Sequence, residues 1–114
     1  EISSTGGTLV GELKNNEVRE YTIHPRQFGM ACSEIAGIQV HDASQAKDML
    51  LSVLSNRPGP ARDILALNAG AAIYTAGLAE SHESGVKRAL TVIASGAAKA
   101  RLEQFVAFTQ RFKG

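Results

Sequence analysis

The stretch PARDILALNAGAAIYTAGLAES, residues 60–81, decides the fold because it has almost no polar face. Within positions 64–78 only Asn68 and Thr75 carry strongly polar side chains. A helix that is apolar around its whole circumference belongs in the interior of a protein. Small residues along it, Gly70, Gly77 and several alanines, are expected to let neighbouring backbones come close. The stretch therefore predicts a buried core helix, in which Asn68 satisfies a buried backbone group rather than contacting a substrate.

Prolines mark the beginning of this helix. Pro58 and Pro60 prevent the preceding segment from continuing as a helix, and Pro60 suits a first helical turn. Asp63 then carries its charge near the positive end of the helix dipole. Arg57 and Arg62 flank the prolines. Phosphate binding and a solvated helix entrance explain these two arginines equally well.

Upstream, residues 8–23 read TLVGELKNNEVREYTI and predict a β-hairpin. Asn15 and Asn16 separate the two runs and tolerate the positive φ of a tight turn. Charged residues in both runs would keep an exposed edge from pairing with other chains, so one face is expected to be wet. Pro25 ends the second strand because it cannot donate a ladder hydrogen bond. Residues 24–41 are then expected to form a connection with at most one helical turn.

Three further segments have a helical period. The first begins at Asp42, an expected N-cap with Gln45 as its reciprocal partner, and ends near Asn56. Its apolar stripe consists of Ala46, Met49, Leu50, Val53 and Leu54.

The other two helices follow the core helix. Ser81 is expected to cap the first of them, and Gly96 suits the left-handed position that ends it. The predicted stripe of this helix is Val86, Leu90, Ile93 and Ala94, and that of the final helix is Ala98, Leu102, Phe105, Val106 and Phe112.

Composition narrows the functional class. The 114 residues are 44% hydrophobic and 20% charged, which is typical of one folded soluble domain. A net charge of +1 and 5% aromatic residues argue against nucleic acid as a partner. No apolar run approaches the roughly 18 residues of a membrane span. The single cysteine excludes an internal disulfide and fits a reducing cytosol, so a cytoplasmic location is expected.

Residues that could carry chemistry are few. His24, His41 and His82 lack the spacing of a metal site and are interpreted as structural. Cys32 has no activating neighbour in the sequence and is expected to be a buried, inert thiol. The Ser-Ser-Thr-Gly-Gly run at residues 3–7 offers amides and hydroxyls for an anion but lacks the spacing of a phosphate-binding loop. The residues alone therefore indicate a soluble globular protein and no particular reaction.

Four segments together resemble anthranilate phosphoribosyltransferases. Residues 60–81 resemble the buried helix near the C-terminus of that family. EISSTGGTLVGEL, residues 1–13, is similar to its segment Asp-Glu-Ile-Ser-x-x-Gly-x-Thr and the strand that follows. EYTIHPRQFGM, residues 20–30, resembles Tyr-x-x-x-Pro-x-x-Phe-Gly, and SGAAKARLEQFVAFTQ, residues 95–110, resembles the final helix. The similarity covers essentially the whole chain in collinear order.

This resemblance implies an α/β fold class of the kind shared by nucleoside phosphorylases and phosphoribosyltransferases. Residues 1–114 would be the C-terminal portion of the α/β domain, seen as a β-hairpin followed by about four helices. The order of the elements alone, strands first and helices afterwards, would instead indicate α+β. The resemblance places the diphosphate-binding loop, the anthranilate pocket and a smaller helical domain that forms a homodimer outside this chain.

One site residue follows from the resemblance. In the family an Asp-Glu pair coordinates Mg²⁺ on the pyrophosphate of phosphoribosyl pyrophosphate, and Glu1 matches the Glu of that pair. The implied reaction transfers the phosphoribosyl group to anthranilate, giving N-phosphoribosylanthranilate and pyrophosphate in tryptophan synthesis. Thr5 and Gly7 stand where family members often have Pro, which implies a looser loop. With one candidate ligand, the chain by itself is expected to be inactive.

Two other functions remain open from the sequence. The pyrimidine nucleoside phosphorylases share the fold, and a homologue that has lost catalysis would be a structural or binding protein. A nucleic-acid-binding homologue fits poorly because the charge is nearly balanced.

Overall fold

Two helices cross so closely near the centre of the molecule that their backbones touch. The computed structural model describes residues 1–113, in which α2 spans Pro60–Thr75 and α3 spans His82–Ala94. A Cβ atom added to Gly70 would lie 2.5 Å from Cγ2 of Val86 and 2.6 Å from its backbone nitrogen. A Cβ on Gly85 would overlap the carbonyl oxygen of Gly70. The close approach predicted at Gly70 is confirmed, and α3 is the partner. The same prediction for Gly77 is wrong, because Gly77 follows the end of α2 with a φ of 77° and nothing lies within 4 Å of an added Cβ.

The core around this crossing is small. Its buried residues are Met30, Ala66, Leu67 and Val86, with Ile2, Phe28 and Leu90 packed against them. The prediction that α2 is buried all round is wrong, since only Ala66, Leu67 and Gly70 are buried in it and Thr75 is exposed. Two openings leave α2 uncovered: an apolar groove of about 390 Å³ toward α1, which Ile64 and Leu65 line, and a cleft of about 440 Å³ toward the hairpin, which Thr75 lines.

The hairpin forms as predicted, with β1 at Thr8–Lys14 and β2 at Glu17–Ile23 in an antiparallel pair. Asn15 and Asn16 have φ values of 53° and 63°, the left-handed turn that their side chains tolerate. The solvent-exposed face of the hairpin is unexpectedly apolar. Leu9, Leu13 and Val18 are 70–73% exposed, whereas the opposite face, with Val10, Glu12 and Tyr21, faces α2 across an open cleft. Alternation along the two strands assigns their residues to two faces of the hairpin, but it does not show which face lies toward the rest of the chain.

The connection after the hairpin holds one more helical turn than expected. It contains two 3₁₀ turns, Pro25–Phe28 and Ile35–Ile38. α1 then spans Ala43–Leu54, ending two residues before the predicted Asn56.

The cap of α1 differs in detail from the prediction. The Oδ1 atom of Asp42 accepts from the backbone N–H of Gln45 at 2.8 Å, as expected for an N-cap. The side chain of Gln45 accepts from His41 N–H at 2.9 Å, one residue before the predicted partner. Of the predicted stripe, Val53 and Leu54 are buried and Leu50 is 43% exposed.

The last two helices begin and end close to the predicted residues. Ser81 caps α3 by accepting from the backbone N–H of Ser84. Gly96 has a φ of 82° and separates α3 from α4, which spans Ala97–Gln110. No residue of α4 is fully buried, but Ala98 and Leu102 of its predicted stripe are half-buried, whereas Phe105 is 62% exposed. Phe112, also predicted for the stripe, lies after the end of α4 and is 73% exposed. Residues 1–113 therefore cover the predicted stripe only in part. Within those residues no helix is long and apolar enough to cross a bilayer.

Candidate metal site at the first loop

The first loop is attached to the core helix through Ile2. The N–H of Ile2 donates to Oδ1 of Asn68 at 2.8 Å, and the carbonyl of Ile2 accepts from Nδ2 of Asn68 at 2.9 Å. The same Nδ2 donates to the carbonyl of Ile64 at 2.9 Å. The side chain of Ile2 packs against the buried core cluster. Asn68 therefore satisfies backbone groups, as predicted, and the groups it satisfies belong to the loop as well as to its own helix.

Ser4 provides the second attachment of the loop. Ser4 is fully buried, and its carbonyl accepts from the backbone N–H of Ser33 at 2.9 Å. The hydroxyls of Ser4 and Ser33 are also 2.9 Å apart. Two residues along the loop, Ile2 and Ser4, thus have fixed backbones.

The polar atoms of the Ser-Ser-Thr-Gly-Gly run are largely occupied within the loop. Ser3 N–H donates to Oγ1 of Thr8 at 3.1 Å, and Thr5 N–H donates to Oγ of Ser3 at 3.0 Å. The hydroxyls of Ser3 and Thr5 pair at 2.7 Å. These bonds make the run a self-bonded turn, which agrees with its lack of phosphate-loop spacing.

Glu1 precedes Ile2, the first residue of the loop whose backbone is fixed. It is exposed, and its carboxylate has no hydrogen-bond or ion-pair partner among residues 1–113. Carboxylate oxygens are the protein ligands that Mg²⁺ prefers, and Mg²⁺ typically takes one or two of them beside phosphate and water. In the part of the chain that the structure describes, no three His, Cys, Asp or Glu residues converge into a metal site. Glu1 could therefore serve as one ligand of a metal whose other ligands come from elsewhere.

A second polar cluster, not predicted from the sequence, joins the hairpin to α2. Tyr74 donates its hydroxyl to Oε2 of Glu12 at 2.5 Å, and Tyr21 donates to Oε1 at 2.9 Å. These two hydrogen bonds, that of Tyr74 first, hold the pKa of Glu12 below its usual value. Lys14 lies 3.3 Å from the Tyr74 hydroxyl. Burial raises the pKa of Tyr21, and its bond to Glu12 adds to the rise.

The cluster borders a cleft of about 440 Å³ between the hairpin and α2. Strand alternation could have placed Glu12 on the face of Val10, which pairs with Tyr21 across the hairpin. The position of Tyr74 depends on tertiary packing, so no local sequence pattern predicts its contact with Glu12.

His24 and His82 have structural roles, as predicted. His24 caps the first 3₁₀ turn, its Nδ1 accepting from Arg26 N–H at 3.3 Å. His82 places Nε2 2.9 Å from the carbonyl of Leu67 and tilts its ring against Phe28. His41 is exposed.

The prediction for Cys32 is wrong, because its thiol is exposed rather than buried. The residue lies in the irregular segment between the two 3₁₀ turns, at the surface, where Sγ donates to the carbonyl of Thr5 at 2.9 Å.

The charged groups at the start of α2 do not converge on Glu1. Arg62 donates from Nη1 to Oδ1 of Asn56 at 2.9 Å, while its Nε is buried without a partner in residues 1–113. Arg57 is exposed. Asp63 lies in the first turn, as predicted, and burial raises its pKa against the opposing charge of Arg62. Arg57 and Arg62 line the same cavity of about 510 Å³ between α1 and the start of α2.

Comparison with known proteins places these features in a family. Residues 1–99 match a family model described as "Glycosyl transferase family, a/b domain". Over 114 residues the chain is 55% identical to a protein of Xanthomonas oryzae pv. oryzae named "Anthranilate phosphoribosyltransferase", covering 100% of this chain and 33% of that protein. Proteins of the same name from Cupriavidus necator and Dechloromonas aromatica are 53% identical over 113 residues and 50% identical over 112 residues. These matches cover 99% and 98% of this chain and 33% of each relative.

The comparisons confirm the resemblance noted from the motifs, and the family description confirms the α/β class. The chain spans about a third of the length of the curated relatives that it matches.

Proposed function

The chain belongs to the family described as "Glycosyl transferase family, a/b domain", and from that premise we propose that it is part of an anthranilate phosphoribosyltransferase. The whole enzyme transfers the phosphoribosyl group of phosphoribosyl pyrophosphate to the amine of anthranilate and releases pyrophosphate, a step of tryptophan synthesis. The observation that carries this proposal is 50–55% identity, over nearly the whole chain, to proteins of that name.

Within that enzyme, residues 1–114 are the C-terminal portion of the α/β domain. The diphosphate-binding loop, the anthranilate pocket and a helical domain that forms a homodimer belong to the rest of the protein. Large apolar side chains on the hairpin and α4 support this division, because they are exposed in the chain alone. The single cysteine is consistent with a cytoplasmic enzyme.

Glu1 is the residue through which this chain takes part in the reaction, as a ligand of Mg²⁺. Its exposed, unpaired carboxylate has the donor chemistry that this ion prefers. When bound, the ion supplies positive charge that stabilises the pyrophosphate as it leaves. Ile2 and Ser4, whose backbones are fixed, hold the loop in place so that the carboxylate is presented from a defined position.

An assay of the whole enzyme tests the proposed reaction. Purified protein is given anthranilate, phosphoribosyl pyrophosphate and Mg²⁺, and the loss of anthranilate fluorescence is followed. A parallel sample receives uridine or thymidine with inorganic phosphate and is assayed for the free base. We expect anthranilate to be consumed only when phosphoribosyl pyrophosphate and Mg²⁺ are present, and no base to be released. Base release without anthranilate turnover would instead identify a pyrimidine nucleoside phosphorylase, and inactivity in both assays a non-catalytic homologue.

A further inference from the structure

We infer that Asn68 is a positioning residue for the metal site, because its side-chain amide holds the backbone on both sides of Ile2 and so fixes the position of Glu1. This inference rests on the proposed function, since it requires Glu1 to bind Mg²⁺. Asn68 lies in the helix α2 and contacts neither the metal nor a substrate in this proposal.

The amide of Asn68 is fully used. Its oxygen accepts from Ile2 N–H at 2.8 Å, and its nitrogen donates to the carbonyls of Ile2 and Ile64, each at 2.9 Å. An asparagine amide has one carbonyl oxygen and two N–H donors, so all three are engaged. Rotating the amide by half a turn would place its NH₂ group against the Ile2 N–H and its oxygen against two carbonyls. The hydrogen bonds therefore determine a single orientation.

This contact controls Glu1 through covalent geometry. The peptide group that joins Glu1 to Ile2 is planar and carries the N–H that Asn68 holds. Holding that N–H, together with the next carbonyl, constrains the peptide planes on both sides of the Ile2 Cα atom. The Cα atom of Glu1 lies in the first plane, about 3.8 Å from that of Ile2. The starting point of the Glu1 side chain is thus set by α2.

Asn68 lies beside the buried core, and no other contact among the described residues holds Glu1 in place. Asn68 follows Leu67, which is 1% exposed, and the Ile2 side chain packs on the same cluster. The Glu1 carboxylate has no partner of its own among the described residues. Residues that orient a metal ligand typically change metal affinity or activity 10- to 100-fold when they are removed. Loss of the Asn68 amide should therefore lower the metal affinity more than it lowers the stability of the fold.

The test uses the whole enzyme with Asn68→Leu, which has a similar size and no polar atoms. Asn68→Ala removes the same amide and leaves a smaller apolar side chain, and it serves if the Leu variant does not fold. Thr75→Ala is the matched control, since Thr75 Oγ1 makes a comparable bond to the Ala71 carbonyl at 2.8 Å on the exposed side of the same helix.

Three quantities are measured for each variant. They are the hydrogen exchange of the Ile2 amide without metal, the affinity for Mn²⁺ in the presence of phosphoribosyl pyrophosphate by electron paramagnetic resonance, and the KM for anthranilate. For Asn68→Leu we expect faster Ile2 exchange, Mn²⁺ affinity lowered by about tenfold and an unchanged KM for anthranilate. Asn68→Ala should change the three quantities in the same way as Asn68→Leu, and Thr75→Ala should change none of the three.

Combination with Glu1→Gln separates this inference from the proposed function. If Asn68 acts through Glu1, Asn68→Leu lowers Mn²⁺ affinity in the native background and adds little when Glu1→Gln is present. An equal loss in both backgrounds, or faster Ile2 exchange with unchanged Mn²⁺ affinity, would overturn the positioning role while leaving Glu1 as a ligand. Unchanged Mn²⁺ affinity in Glu1→Gln alone would overturn the proposed metal role, and the role of Asn68 with it.

Discussion

Glu12 shows how a single charged residue can hold two elements together. Its two carboxylate oxygens each accept a tyrosine hydroxyl, one from Tyr74 in α2 and one from Tyr21 in the hairpin. Both bonds favour the ionised carboxylate, and that of Tyr74 is the larger cause of its lowered pKa. The bonds tie β1 to the C-terminal end of α2, where apolar contacts are few.

The lowered pKa gives this attachment a pH dependence with a definite sign. A carboxylate whose pKa falls on folding stabilises the protein fully above its usual value, here 4.5, and loses that contribution as the pH falls through the lowered value. Glu12→Gln should therefore be less stable than the native protein near neutral pH, and the difference should shrink below pH 4.5. Urea denaturation across a pH series measures it, with the exposed Glu17→Gln as control. A difference independent of pH would show that the charge of Glu12 is not the cause.

Rules that relate side-chain chemistry to nearby backbone structure predicted the roles of several residues correctly. The turn geometry of Asn15 and Asn16, the caps at Asp42 and Ser81, and the backbone role of Asn68 all follow from side-chain chemistry that acts over a few residues. The exposure of Cys32 was missed because no periodic pattern covers its irregular segment.

The metal role proposed for Glu1 rests on family resemblance, and no spacing in the chain indicates it. The bond between Asn68 and Ile2 joins residues 66 positions apart, a separation beyond the reach of any local motif.

At the scale of elements, the α2–α3 crossing depends on glycines that leave no space for a side chain. Gly70 faces the backbone of Val86, and Gly85 faces the carbonyl of Gly70. Backbone atoms cannot move aside as the end of a flexible side chain can, so a side chain at either position must separate the helices.

Substitution of Gly70 should therefore destabilise the protein although the residue is in a helix. Gly70→Ala adds about 1 kcal/mol of helix propensity but inserts a Cβ atom 2.6 Å from a backbone nitrogen. We expect a net loss of about 1–3 kcal/mol for Ala and about 2–4 kcal/mol for Leu. Chemical denaturation measures both. Gly11→Ala is the control, because no atom lies within 4 Å of its added Cβ, and equal stability of Gly70→Ala and Gly11→Ala would refute the tight crossing.

The elements themselves were predictable, but the faces they bury were not. Periodicity gave the hairpin and four helices close to their observed ends. It also predicted full burial of α2 and an apolar stripe on α4, and residues 1–113 cover neither completely. A stripe of apolar residues predicts that this face of a helix packs against another surface, but it does not identify that surface.

At the scale of the whole molecule, the chain is more open than a self-contained domain. Its radius of gyration is 15.7 Å, against about 13 Å for a compact domain of this length. Leu9, Leu13 and Val18 on the hairpin, Phe105 on α4 and Phe112 just after α4 are each more than 60% exposed. Both features agree with a chain that spans a third of its relatives' length.

The isolated chain should therefore have no phosphoribosyltransferase activity. One candidate metal ligand cannot replace the diphosphate loop and the anthranilate pocket, since catalysis requires several groups held in mutual geometry. The measurement is anthranilate turnover by the purified 114-residue chain, prepared from a host that lacks its own enzyme. The whole protein, purified in the same way, is the positive control. Turnover by the chain alone would place the active site within these residues.

The Mg²⁺ dependence of Glu1 variants tests most directly whether this chain takes part in catalysis. In the whole enzyme, Glu1→Ala and Glu1→Gln should lower activity about tenfold or more and raise the Mg²⁺ concentration that gives half-maximal rate. The melting temperature should stay nearly unchanged, because Glu1 is exposed and unpaired among the described residues. Native activity and native Mg²⁺ dependence in both variants would contradict the metal role, and melting far below the native protein would show that the carboxylate is structural.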